Sequence, residues 1–263
     1  MKQFVHTNWN NKKYSSLKTW LKNNSNLKYK QFQQKIVNTK FPIIGVKIPT
    51  IRNIANNILK GNAKSFLEVC KEGTFEEIIL KGIIISKLNI SFNERIKIFE
   101  QYTNIIDNWA VCDIVTGSLK DFSNNKTDGY EYILKCIHSN DPWKIRVGIV
   151  SMISFYVDEL YIEEILAHCK YISDKFSKLK TKLSNKHGSP YYYVKMANAW
   201  LISVCFAKFP TTTKTFLETN QIEDETFKMS IQKIIDSHRV STKDKTYVKQ
   251  LKQLHNNIKQ CKQ

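Results

Sequence analysis

The segment Asp107-Asn108-Trp109-Ala110-Val111-Cys112-Asp113 has the spacing most open to chemistry in this chain of 263 residues. Asn108 or Asp107 can cap a helix that begins at Trp109, because a short polar side chain accepts from the free N–H groups of a first turn. Trp109 and Asp113 then stand one turn apart on one face, with Val111 directed to another side. A fixed carboxylate can stabilise developing positive charge or orient a water, and an indole face adds cation–π attraction. The same spacing also fits a plain buried Trp beside a capping or exposed Asp. Arg146 stands one turn into a helix that starts at Pro142, with Trp143, Val147 and Val150 on its packing side. Only four of the 41 basic residues are arginines (Arg52, Arg95, Arg146 and Arg239), so an Arg here points to a demand for planar, bidentate geometry. Phosphate is a natural ligand for that fork, and an ordinary ion pair is the alternative. Trp200 has small neighbours, Ala197 and Ala199, and reads either as a ligand-facing or as a core aromatic.

The elements that must position these residues are helices. Tyr14, Leu17, Trp20 and Leu21 make one apolar face; Phe75, Ile78, Ile79, Gly82 and Ile83 make another; Ile96, Phe99 and Tyr102 a third. Leu160, Ile165 and Leu166 predict a further helix, and Ile231, Ile234 and Ile235 another. In the tail, Tyr247, Leu251, Leu254 and Ile258 predict a helix that packs. No segment alternates cleanly, so essentially no strand is expected. Breaks at Gly61, Gly73, Ser91, Asn108, Asp141, Ser189, Pro210 and Ser241 predict about a dozen helices with mostly short loops. With 8 Gly and 5 Pro, the chain has too few turn residues for sandwiches, barrels or Gly-rich nucleotide folds. Three segments echo one another: Ile48-Pro49-Thr50-Ile51-Arg52, Asp141-Pro142-Trp143-Lys144-Ile145-Arg146, and Ser189-Pro190 followed by Lys195. Each places a basic residue in the first turns after a Pro, where free N–H groups also point. Stacked helix pairs of this kind would form a basic face, in the manner of a HEAT-type α-solenoid.

Composition bounds the partners. The formal net charge is +18, from 41 basic and 23 acidic residues. That balance points to a polyanion, with nucleic acid ahead of an anionic membrane surface. An AT-rich genome raises Lys over Arg but does not account for the shortage of Asp and Glu. The six cysteines, at 70, 112, 136, 169, 205 and 261, have no CxxC spacing and read as buried thiols in a reducing compartment. The six histidines show no metal spacing. The apolar run Ile78 to Ile85 is too short to cross a bilayer, and no signal peptide is expected from the first residues. The stretch 173–190, with five lysines, reads as a solvated loop or as a basic flap against a nucleic-acid backbone.

These residues together resemble the DNA alkylation repair glycosylases of the AlkD type. The resemblance covers roughly residues 30 to 255 and is carried by Ile44-Gly45-Val46-Lys47-Ile48-Pro49, Trp109-xxx-Asp113, Trp143-xx-Arg146 and Tyr193-Val194-Lys195-Met196-Ala197-xx-Trp200, in the family's order. Asn108 and Ala110 stand where the family often has a second aromatic and an acidic residue. The resemblance implies an all-α fold: one domain over residues 1–263, a right-handed, C-shaped α-solenoid of HEAT-like repeats with a basic concave face. It implies Asp113 as the catalytic carboxylate, Trp109 and Trp200 as indoles on the DNA backbone at the lesion, and Arg146 on the phosphates. Lys47, Arg52 and Lys195 join them as DNA-binding candidates. The implied activity is hydrolysis of the N-glycosidic bond of cationic alkylpurines such as 3-methyladenine and 7-methylguanine in duplex DNA, without a tight base-flipping pocket. No metal or other cofactor is implied. A cytoplasmic, nucleoid-associated monomer is expected, with no membrane partner. A different class remains open: a non-catalytic HEAT-like protein that binds bent or branched DNA.

Overall fold

The computed structural model of the protein describes residues 3–177, 188–219 and 222–260. Among the described residues there are fifteen α-helices and no strand. The lysine-rich segment falls largely outside them, as does Cys261. The chain divides into two compact units, Met1–Lys126 and Thr127–Gln263.

The first unit carries α1 (Asn11–Asn23), α2 (Leu27–Ile36), α3 (Ile48–Ile58), α4 (Ala63–Val69), α5 (Phe75–Lys87), α6 (Phe92–Thr103), α7 (Trp109–Thr116) and α8 (Asp121–Asn124). Its helices begin where short polar residues can cap: Asn10, Asn26, Asn62, Thr74, Ser91 and Asn108 each accept from a first-turn N–H. At the centre is α5, in which eleven of thirteen residues are buried. A helix apolar on nearly every side cannot face water, so α3, α6 and α7 pack around it. Gly82 permits the closest approach: a Cβ there would lie 2.5 Å from both the Tyr102 hydroxyl and Val115 Cγ2. This seats α7 directly on α5.

The second unit carries α9 (Lys126–His138), α10 (Pro142–Phe155), α11 (Ile162–Ser177), α12 (Pro190–Lys208), α13 (Pro210–Thr219), α14 (Asp224–Asp236) and α15 (Thr242–Gln260). Asp141 and Ser189 cap α10 and α12, and Pro occupies the first helical position of each, as the spacing predicts. The central helix is α12, which packs on α10, α11, α13 and α14. Within each unit, neighbouring helices stack along the chain, the pattern of an α-solenoid of helical repeats. No helix among the described residues is long and apolar enough to cross a membrane.

Three expectations change. There are more helices than a dozen, because α4 and α8, of 7 and 4 residues, are too short to show a period. Leu160 lies in a turn before α11 and is 78% exposed, so it belongs to no apolar face. On α15 Val248 is buried, whereas Leu254 is 59% exposed, and the side chain of Ile258 lies outside those described.

Candidate functional site

In the first unit, Asn108 caps α7 by accepting from Val111 N–H at 2.9 Å, and Val111 is fully buried. Trp109 and Asp113 therefore share the other face, each half-buried. Two ties fix the start of this helix. The Trp109 indole Nε1–H donates to the Ile36 carbonyl at the end of α2, at 3.0 Å. The Asp107 carboxylate accepts from Thr39 Oγ1 at 2.9 and 3.0 Å, from Lys40 N–H at 2.8 Å and from Asn108 Nδ2 at 2.7 Å. The indole is thus tied to the backbone at the end of α2, and the carboxylate of Asp113 follows one turn later on the same helix. Sequence spacing alone treats Asp107 only as a possible cap. Its work as a clamp between α7 and the 37–40 segment depends on residues about 68 positions away.

The Ile44–Pro49 motif has a local explanation. The buried Glu76 carboxylate accepts from Ile44, Gly45 and Val46 N–H at 2.9, 2.6 and 3.2 Å. Gly45 takes φ +102°, a region that a side chain disfavours. This loop delivers Lys47, exposed, to the start of α3. Arg52, half-buried on α3, donates from Nη1 to Ser118 Oγ at 3.1 Å, just past α7. Partial burial, then the positive charges of Arg52 and Lys120, push the pKa of Lys87 down. Cations therefore crowd at this end of α7.

In the second unit, Arg146 is only 5% exposed and donates from Nη1 to the Tyr193 carbonyl. Tyr193 in turn stacks on Trp143, with ring centroids 5.9 Å apart. Lys195 is 3% exposed; its ammonium meets Glu225 at 2.8 Å and Glu223 at 3.3 Å, tying α12 to the start of α14. The expected basic face of residues in the first turns is thus corrected for Lys195, whose charge is taken up by two carboxylates. Trp200 is half-buried and forms one wall of a groove that also includes Lys208, Lys233, His238 and Arg239. No local pattern in the sequence brings Lys208, Lys233, His238 and Arg239 together. Arg239 was open to the same argument as Arg146, since both are rare arginines in a lysine-rich chain.

The arginine argument itself needs correction. Arg95 is 4% exposed, with Nε on Asp121 at 2.7 Å and Nη1 on the Ile85 carbonyl at 2.8 Å. Here the planar fork satisfies several internal acceptors, so a rare arginine does not by itself point to phosphate.

Stacked helices build both units, and this defines a helical-repeat protein. The chain belongs to the family of DNA alkylation repair enzymes, whose pattern it matches over residues 17–234. No curated protein and no solved structure matches the chain.

Proposed function

We propose that the protein is a monofunctional DNA glycosylase that releases cationic alkylpurines, of the 3-methyladenine and 7-methylguanine type, from duplex DNA. The observation that carries this is the pair Trp109 and Asp113, one turn apart on α7 and partly exposed, with the indole held by the Ile36 carbonyl. Membership of a DNA alkylation repair family supports the substrate class.

The chemistry suits these groups. A purine alkylated on a ring nitrogen carries positive charge, so it departs neutral without a general acid. The C1′–N bond breaks and its electron pair moves into the purine ring. Positive charge then gathers on the deoxyribose, as in glycoside hydrolysis. The Asp113 carboxylate stabilises that charge and orients a water. The water oxygen bonds to C1′, and its surplus proton passes by way of the carboxylate to solvent. The indole face of Trp109, one turn from Asp113 on the same helix, adds about 0.5–2 kcal/mol through cation–π attraction, and Trp200 is taken as an indole on the DNA backbone. Lys47 and Arg52 contact backbone phosphates, and Arg146 contributes positive potential from beneath the surface. Lys195 enters as a structural tie. The base is not drawn into a tight pocket, no cofactor takes part, and the protein acts as a monomer on nucleoid DNA.

The test is a duplex with a single 7-methylguanine. Wild-type protein is expected to release free base and leave an abasic site cleaved by heat and alkali. A duplex left intact, on this lesion and on 3-methyladenine, overturns the assignment in favour of non-catalytic binding of bent or branched DNA.

A further inference from the structure

The second unit holds a groove of about 570 Å³ between α12 and the end of α14, walled by Trp200, Ser203, Lys208, Lys233, His238 and Arg239. A space of that size exceeds the needs of a bare ion and falls among sites that hold small molecules, roughly 300–1,000 Å³. Its charge is one-sided. Lys208, Lys233 and Arg239 stand against the single carboxylate Asp236, which is already engaged with Gln232 Nε2 at 2.9 Å. The Lys208 ammonium rests on the Val157 carbonyl at 2.9 Å.

The decisive residue is Lys233. It is half-buried on α14 and has no ion-pair partner among the described residues. The Arg146 guanidinium, enclosed in the same unit, repels it, and only Asp236 offsets the repulsion. Burial and that repulsion together push its pKa below the usual lysine range. By contrast, the enclosed Lys195 of the same unit is paired with two carboxylates. A charge held half-buried beside another charge, with open space in front, is stabilised by an anion that enters that space. Arg239 reaches the same space from the exposed turn after α14 and likewise has no ion-pair partner among the described residues. Its fork suits the two free oxygens of a phosphate ester.

We infer that this groove is a phosphate-ester site, in which Lys233 and Arg239 hold one backbone phosphodiester of DNA against the Trp200 wall. It rests on the DNA-binding part of the proposed function and is independent of catalysis. The experiment measures affinity for an undamaged duplex against salt concentration, for wild type, Lys233→Gln, Arg239→Gln and the double variant. Each single variant is expected to reduce the slope of log K on log salt by about 0.9, and the double variant by about twice that. Lys228→Gln serves as a charge control, because Lys228 is on α14 but paired with Asp224 at 2.9 Å. Its slope is expected to match wild type. Arg239 is exposed, so its variant keeps the test open if Lys233→Gln does not fold. Slopes equal to wild type in the Arg239 and Lys233 variants, or an equal fall in Lys228→Gln, overturn the inference. A second arm titrates inorganic phosphate and a 5′-mononucleotide. Saturable binding of either, lost in the double variant while the duplex slope stays unchanged, also overturns the DNA assignment and gives the groove to a free phosphate ester. If the slopes fall yet no base is released from alkylated duplex, the groove stands and the glycosylase fails. Base release with unchanged slopes gives the reverse.

Discussion

Replacing Lys195 with Met separates a structural cation from a DNA-binding one. The ammonium is enclosed, but its partners are less so: the Glu223 and Glu225 side chains are 18% and 28% exposed. Removing one member of a fully buried pair costs about 3–5 kcal/mol, because a charge is left without compensation. Here both carboxylates can recover some water, and Glu223 keeps the Thr226 N–H and hydroxyl, each at 2.9 Å. The expected loss is therefore about 2–3 kcal/mol, smaller than for full enclosure. That corresponds to a fall in Tm of roughly 5–10 °C for a protein of this size. Urea and thermal unfolding followed by circular dichroism measure it. Duplex binding against salt supplies the second readout, since a lost phosphate contact would lower the slope by about 0.9. An unchanged slope with lowered stability is expected. A variant as stable as wild type, with a slope reduced by about 0.9, would refute the tie and return Lys195 to the DNA surface.

Gly82→Ala should destabilise the protein by about 1–3 kcal/mol, because its methyl group must displace Tyr102 or Val115. Base release should fall with it, since Val115 belongs to α7; normal stability would show that the helices yield without cost. Asp107→Ala removes the acceptor of the Thr39, Lys40 and Asn108 hydrogen bonds and should lower base release more than duplex affinity, with partial rescue by Asn. Equal losses in both would place Asp107 in general stability alone. Burial pushes the Cys70 and Cys205 thiols up to about 12, so near pH 8 neither ionises appreciably in the folded protein. A Cys261→Ser variant should then resist a thiol reagent at pH 8 until it is unfolded, and rapid labelling in the native state would contradict that burial.

Much of the helical framework was legible because local rules and packing agree. Asn108, Asp141 and Ser189 cap the helices they were expected to cap, and Phe75, Ile78, Ile79 and Ile83 are core. The i, i+4 placement of Trp109 and Asp113 followed from one turn of helix. What spacing cannot convey is which side of a helix its neighbours cover. Arg146 and Lys195 stand within the first two turns of their helices, like Arg52, yet Tyr193 and the start of α14 enclose them. Leu160 has the apolar identity of a core residue but precedes its helix. The clamp at Asp107 and the groove at Lys233 depend on residues distant in sequence, and no local pattern records such partners.

The most direct test compares wild type with Asp113→Asn on duplex carrying 7-methylguanine, at protein concentrations that saturate the DNA. The Asn side chain keeps the size and place of the carboxylate on α7 and removes its charge. Wild type is expected to release the base, while the variant binds the duplex with unaltered affinity and releases none above the spontaneous rate. Normal release by the Asn variant would contradict the assignment of Asp113 as the catalytic carboxylate.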